Sequence, residues 1–170
     1  MILLGAALLL LAPPALAEKQ YGPGTSDTEI KIGQTIAYSG PASAYGTLGK
    51  VEAAYFKWLN DTKGGINGRK ITFISRDDGY SPAKAVENTR SLVEGDEVAL
   101  MFGVLGTPLN MAIRPYLNQQ GVPQLVVAAG SSALNDPAPF PCTMGWQPHL
   151  RHQPQLYANH LPAHTPQPKH

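Results

Sequence analysis

Three short stretches of this chain combine small, hydroxylated and glycine residues in a way suited to holding an anion. They are Tyr38-Ser39-Gly40-Pro41-Ala42-Ser43-Ala44-Tyr45-Gly46, Gly103-Val104-Leu105-Gly106-Thr107-Pro108 and Ala128-Ala129-Gly130-Ser131-Ser132. Thr107 and Ser132 offer hydroxyl donors beside backbone N–H groups. Thr107 also falls at the start of a helical pattern, where unpaired N–H groups and the helix dipole favour negative charge. A carboxylate fits that chemistry, with Tyr45 as an aromatic wall. The same Thr and Ser residues equally suit helix capping and turn formation, which these residue types supply throughout proteins.

Enzymatic constellations are poorly represented. Asp77 and Asp78 are adjacent at the end of a strand pattern, so their side chains leave on opposite faces and do not converge as an acid or metal pair; loop capping or solvation is the better reading. His149 and His152 have the spacing of one helical face, but Pro148 and Pro154 bracket them and no supporting carboxylates stand nearby in sequence, so no metal site is assigned. Neither a Gly-x-Ser-x-Gly elbow, a Walker loop nor a Gly-x-Gly-x-x-Gly fingerprint occurs, and neither an enzymatic activity nor a cofactor is assigned.

The elements that must carry the three loops are readable from periodicity. Glu29–Ile36 alternates as a first strand, and Ala44 to Leu59 is helical, with Val51, Ala54, Tyr55 and Trp58 at helical spacing. Gly64-Gly65-Ile66-Asn67-Gly68 is a turn before a second strand, Lys70 to Ser75. Ser81 caps and Pro82 opens a second helix running to about Glu94. Val98 to Phe102 is a third strand, apolar enough for burial on both faces. A third helix, Pro108 to Gln119, starts from Thr107 as its cap, and Gln124 to Ala128 is a fourth strand. Strands alternating with helices imply a parallel sheet of right-handed βαβ units covered on both faces. Ligands of such sheets bind beyond the carboxyl ends of the strands. A spatial order 2-1-3-4 would cluster the three loops there.

The chain has 170 residues, 43% of them hydrophobic, a formal net charge of +1 and one cysteine, Cys142. Without a basic stripe, no nucleic-acid partner is expected, and a lone cysteine allows no internal disulfide. Residues 1–17 read as a cleaved signal peptide: Ile2 to Leu11 is an apolar run and Ala15-Leu16-Ala17 fits the small-x-small cleavage rule, although the usual positive n-region is missing. The run is shorter than the ~20 apolar residues of a transmembrane helix, and no lipobox cysteine follows. Residues 18–28 read as an exposed arm. From Asp136 onward prolines crowd in, all five histidines fall between His149 and His170, and 148–170 is expected to be a disordered tail.

At these same loops the sequence resembles the leucine/isoleucine/valine-binding group of type I periplasmic binding proteins. The carriers of the resemblance are Ile32-Gly33 with Ser39-Gly40-Pro41-Ala42-Ser43-Ala44-Tyr45-Gly46, then Gly64-Gly65-Ile66-Asn67-Gly68-Arg69-Lys70-Ile71, then Asp77-Asp78-Gly79-Tyr80-Ser81-Pro82. Coverage runs from about Thr28 to Gln147, and the motifs are specific in their combined order. The resemblance implies an α/β fold, a parallel βαβ three-layer lobe of the type I periplasmic binding protein fold, spanning 29–147 and truncated before the second lobe.

It further implies that Tyr45 borders the ligand, that Thr107 and Ser132 bind its carboxylate, and that the Gly130 carbonyl receives its ammonium. Trp146, near the crossing into a second lobe, would face the cleft unless it serves as core. Some family members link the loop after the second strand to the loop before the third helix by a disulfide; the corresponding places here are Tyr80 and Gly106, so that link is absent. The implied function is the periplasmic solute-binding component of an ABC importer, with an amino acid or small carboxylate as ligand and ABC permease subunits as partners. As a single lobe it is expected to bind weakly. A ligand-sensing or interaction module of the same fold, and an inert gene fragment, are the alternatives.

Overall fold

The computed structural model describes residues 20–164. The leader 1–17 therefore lies outside the described residues. Five parallel strands form one sheet in the order β2-β1-β3-β4-β5, with β1 at Glu29–Ile36, β2 at Lys70–Asp77, β3 at Leu100–Phe102, β4 at Gln124–Val127 and β5 at Thr143–Gly145. The order 2-1-3-4 holds. The fifth strand was not anticipated: it has three residues and follows a proline-crowded stretch, too short for alternation to register.

Helix α1 (Gly46–Lys63) covers one face of the sheet, and α2 (Pro82–Arg90) and α3 (Thr107–Gln120) cover the other. The first face is closed by Phe56 of α1 with Ile32 and Ile71, and Phe73 and Phe102 pack their rings on Phe56. The second face is a larger core of Ala85, Leu92, Met101, Leu109, Ile113 and Leu117. α1 meets the sheet through Gly46, Gly49 and Phe56, not through the apolar stripe that marks it as a helix: Val51, Tyr55 and Trp58 are on its outer flank, 61%, 54% and 49% exposed. The glycines decide this, because a Cβ at Gly49 would stand 2.3 Å from the Tyr38 hydroxyl and 2.8 Å from Gln34 Oε1.

The second predicted helix divides into α2 and one π-type turn at Ser91–Gly95. Ser81 caps α2, accepting the Lys84 N–H at 3.5 Å, with Pro82 as its first residue. The arm is not loose over its described part. Gly24 accepts the Lys31 N–H at 2.7 Å and lies so close to the backbone of Glu97–Ala99 that a Cβ would meet Ala99 N at 2.3 Å. Its φ of +67° is one that glycine adopts without strain.

The expected disordered tail is corrected over much of its length. His152–His164 forms a helix, α4, whose Pro154 falls in the first turn, where a missing N–H costs nothing. Leu156, Tyr157 and Leu161 on it are exposed.

Candidate ligand site at the carboxyl ends of the strands

Because β1, β3 and β4 are parallel neighbours, their carboxyl ends open on the same rim, and the loops that follow meet there. They surround a cavity of about 390 Å3. Tyr45 comes from the loop after β1, at the end of a short 3-10 turn, Ser43–Tyr45. Leu105, Gly106 and Thr107 come from the loop after β3; Ala128, Ala129 and Gly130 come from the loop after β4. Tyr45, Thr107 and Gly130 are thus brought together. Ser132 and Trp146 are not among the lining residues.

Thr107 was expected to cap α3. The cap is Gly106, at φ +92° and ψ 135°, and Thr107 is the first helical residue, with no cap hydrogen bond from a side chain. Thr107 thus lines the cavity from the first turn of α3. The loop before it is fixed from behind: the buried Asn110 amide donates to the carbonyls of Val104 and Gly106, each at 2.8 Å. Gln124 holds Asn110 in turn, at 2.7 Å.

Tyr80 lines the cavity opposite this loop, a residue not proposed for the site from the sequence. Its ring presses on Gly106, where a Cβ would meet Tyr80 Cε2 at 2.7 Å and its hydroxyl at 2.8 Å. The contact joins the same two places, Tyr80 and Gly106, that the resemblance marked as the ends of a disulfide in some family members, and that was the signal available for it. Tyr80 itself sits at φ +64°. Asp78 holds it there: the buried carboxylate accepts the Tyr80 N–H at 2.8 Å and the Thr35 hydroxyl at 2.8 Å, and Asn88 of α2 donates to Thr35. Burial pushes the Asp78 carboxyl above its usual range, against the lowering from Thr35 and the Tyr80 N–H.

Asp77 points the other way, as two successive strand residues must. It accepts the Ser39 hydroxyl at 2.5 Å and the N–H groups of Tyr38, Gly79 and Ser39 at 2.8, 3.0 and 3.1 Å. The Ser39 hydroxyl, followed by the Gly79 N–H, lowers its pKa to about 2. The two carboxylates diverge, and Asp77 ties the loop after β2 to the loop that delivers Tyr45.

Gly130 is buried, and its carbonyl is engaged from within the chain. The Leu150 N–H donates to it at 2.8 Å, while the Leu150 side chain and Pro148 carbonyl crowd the glycine; a Cβ there would meet each at 2.9 Å. Gln147 and Leu150 complete the cavity wall. Neither was proposed from the sequence, where Gln147 ends the expected lobe and Leu150 falls in the proline-rich tail.

The position of Ser132 has a plain cause. It opens a 3-10 turn, Ser132–Asn135, that is drawn toward α3: Arg114 donates to the Ala133 carbonyl at 2.5 Å, stacks 3.6 Å over Phe140, and Leu134 is buried against Val127 and Ala129. Trp146 follows β5, the edge strand among the described residues, and is 69% exposed. It faces neither cavity nor core. His149 is turned to Asn135, whose amide nitrogen lies 2.6 Å from its Nε2.

A profile of the family described as "Periplasmic binding protein" matches residues 29–165. Among curated relatives, the chain is 25% identical over 122 residues to the Leu/Ile/Val-binding protein homolog 7 of Brucella abortus, covering 72% of this chain and 30% of that protein. It is thus similar to proteins of which it spans about 30% of the length. Among solved structures, it superposes on a substrate-binding periplasmic protein from Ralstonia solanacearum with a TM-score of 0.73 and 25% identity, covering 79% of this chain and 38% of the other. A solute binding protein of an ABC transporter from Rhodopseudomonas palustris, solved with 3,4-dihydroxybenzoic acid, gives a TM-score of 0.62 and 25% identity, covering 74% and 33%.

Proposed function

The chain belongs to the periplasmic binding protein family, and on that premise we propose that it is the amino-terminal, ligand-holding lobe of an extracytoplasmic solute-binding component of an ABC importer. The proposed lobe spans 29–147, behind a cleaved leader at 1–17, and the proposed ligands are branched-chain or related amino acids and small carboxylates. ABC permease subunits are its proposed partners. The observation that carries the reading is the meeting of Tyr45, Thr107 and Gly130 around one cavity at the carboxyl rim of the sheet. The relatives named for Leu, Ile and Val and the structure holding 3,4-dihydroxybenzoic acid share one ligand group, a carboxylate.

The role of each residue follows from its position. The Thr107 hydroxyl and the first-turn N–H groups of α3 receive the carboxylate at the positive end of a helix of 14 residues. Tyr45 and Tyr80 flank the body of the ligand. In a protein of the relatives' length a facing wall would close over this rim, since small-molecule sites bury most of the ligand surface. Residues 29–147 by themselves supply one wall, so NMR shift titration, which reads affinities into the millimolar range, suits a test on this stretch.

Thr107→Ala is the test. It removes a donor to a charged group, and such hydrogen bonds contribute about 1.5–3 kcal/mol, a loss of roughly ten- to a hundred-fold in affinity. Ser132→Ala, off the cavity, is expected to stay within about twofold, as substitutions remote from a contact do. Titration with leucine, isoleucine, valine and benzoate reads both variants. Equal affinity for wild type and Thr107→Ala would sink the carboxylate role.

A further inference from the structure

An edge strand offers its outward N–H and C=O groups to any other strand that comes near. The two edges of this sheet differ in that respect. β5 has three residues and pairs irregularly with β4, so it offers little. β2 has eight, pairs only with β1 among the described residues, and keeps an unbroken register from Lys70 to Asp77. The direction of its backbone groups is fixed at both ends. The Lys70 N–H donates to the Thr28 carbonyl and the Asp78 N–H to the Ile36 carbonyl, both on the β1 side. Backbone groups alternate in direction along a strand, so Ile71, Phe73, Ser75 and Asp77 turn theirs outward.

Two asparagines occupy the ends of that outward row. Asn60 of α1 accepts the Ile71 N–H through Oδ1 and donates through Nδ2 to the Ile71 carbonyl, each at 2.8 Å. That is the reciprocal pair a residue of an adjoining antiparallel strand would make. Asn can make it because its side-chain amide carries a donor and an acceptor side by side, as a peptide unit does. At the other end Asn88 of α2 donates to the Asp77 carbonyl at 3.1 Å. Since α1 and α2 lie on opposite faces of the sheet, the edge is clipped from both. Phe73 and Ser75 remain between the clips, a short window for strands that usually run to about 5–6 residues. Beside it lies a cavity of about 230 Å3 whose lining includes Phe56, Ile71 and Phe73. A strand that settled here would therefore gain apolar contact as well as hydrogen bonds.

We propose that Asn60 and Asn88 guard this edge, and that loss of Asn60 turns β2 into a surface that pairs with the β2 of a second copy of this chain. A second copy fits because it brings the same uninterrupted strand, with the same Ile71 and Phe73 on the face that meets α1. With Asn60 in place, an incoming strand must break both amide bonds at Ile71 to make two of its own, so pairing there returns nothing.

Asn60→Leu in the full chain is the test, since leucine is similar in size and has no hydrogen-bonding group. Sedimentation over a concentration series should show the variant passing to dimer and larger species while the wild type forms no edge-paired dimer. Hydrogen exchange identifies the surface: the Phe73 and Ser75 amides, open in the wild type, should gain protection in the variant in step with association. In the wild type the Ile71 amide should exchange at least about tenfold more slowly than that of Phe73, because its bond to Asn60 must open first. Asn88→Leu should act in the same direction and more weakly, as it frees a carbonyl alone.

A folded Asn60→Leu no more associated than the wild type would overturn the proposal. Association that leaves the Phe73 and Ser75 amides unprotected would overturn it as well, and would place the contact elsewhere, such as the exposed flank of α1. An Ile71 amide that exchanges as fast as that of Phe73 in the wild type overturns it whether or not either variant folds.

Discussion

Asp77 shows how one surface carboxylate can set the position of a site residue it does not touch. Four hydrogen bonds converge on it, and they hold Tyr38 and Ser39 in place at the root of the loop that ends in Tyr45. Its pKa of about 2 lies below the ordinary 3.8 because the folded state favours the charged form. The sign follows: the contribution is fully present above 3.8 and is lost as pH falls through about 2. The amide resonances of Tyr38, Ser39 and Gly79 should therefore titrate together with a midpoint near 2. A midpoint in the ordinary carboxylate range would mean the loop is not pinned by this group. The sequence showed that Asp77 and Asp78 diverge, because strand alternation demands it. Alternation says nothing about which N–H groups lie within reach, so the double clamp on the two loops was not legible, nor was Tyr80, whose positive φ is set by Asp78 and not by its own residue type.

Helix α1 separates two meanings of an apolar stripe. The stripe at Val51, Tyr55 and Trp58 announced a helix correctly, yet the face that packs is the one carrying Gly46, Gly49 and Phe56. Glycines let the helix approach the sheet, and one aromatic ring then fills the gap against Ile32, Ile71, Phe73 and Phe102. Phe56→Ala should accordingly cost about 3–5 kcal/mol in a denaturant melt, as large-to-small changes at buried aromatics do. Tyr55→Ala, its exposed neighbour, should stay within about 0.5 kcal/mol. Comparable losses for both would mean the outer flank is packed in solution. At this scale the strong periodicities were readable: β1, β2, α1 and α3 were each found to within a few residues. The short β5 escaped, and 148–170 reads as a disordered tail although Gln155 to Leu161 could make a short helix, because prolines at 137, 139, 141, 148 and 154 act as breakers in sequence, while tertiary pairing with β4 and first-turn placement accommodate them.

For the molecule as a whole, strand order was the inference that gathered the site, since three loops of similar chemistry are of use only if their strands are neighbours. Tyr45, Thr107 and Gly130 meet for that reason. Ser132 lies off the cavity because Arg114, 19 residues before Ala133 in the chain, draws its turn onto α3, and a pull of this kind leaves no local pattern. The exposure of Trp146 at the sheet edge carries a different consequence, an optical one. Both tryptophans of the chain, Trp58 and Trp146, stand largely in water, at 49% and 69% exposure. The folded protein should fluoresce at nearly the colour of its unfolded chain, so denaturation will shift the emission little. Trp146 adjoins Gln147 at the cavity wall, so a body that closes over this rim and reaches across the edge strand would strip water from its indole and move the emission to the blue. The lobe is thus a dark reporter of its own unfolding and a bright one of whatever covers its ligand.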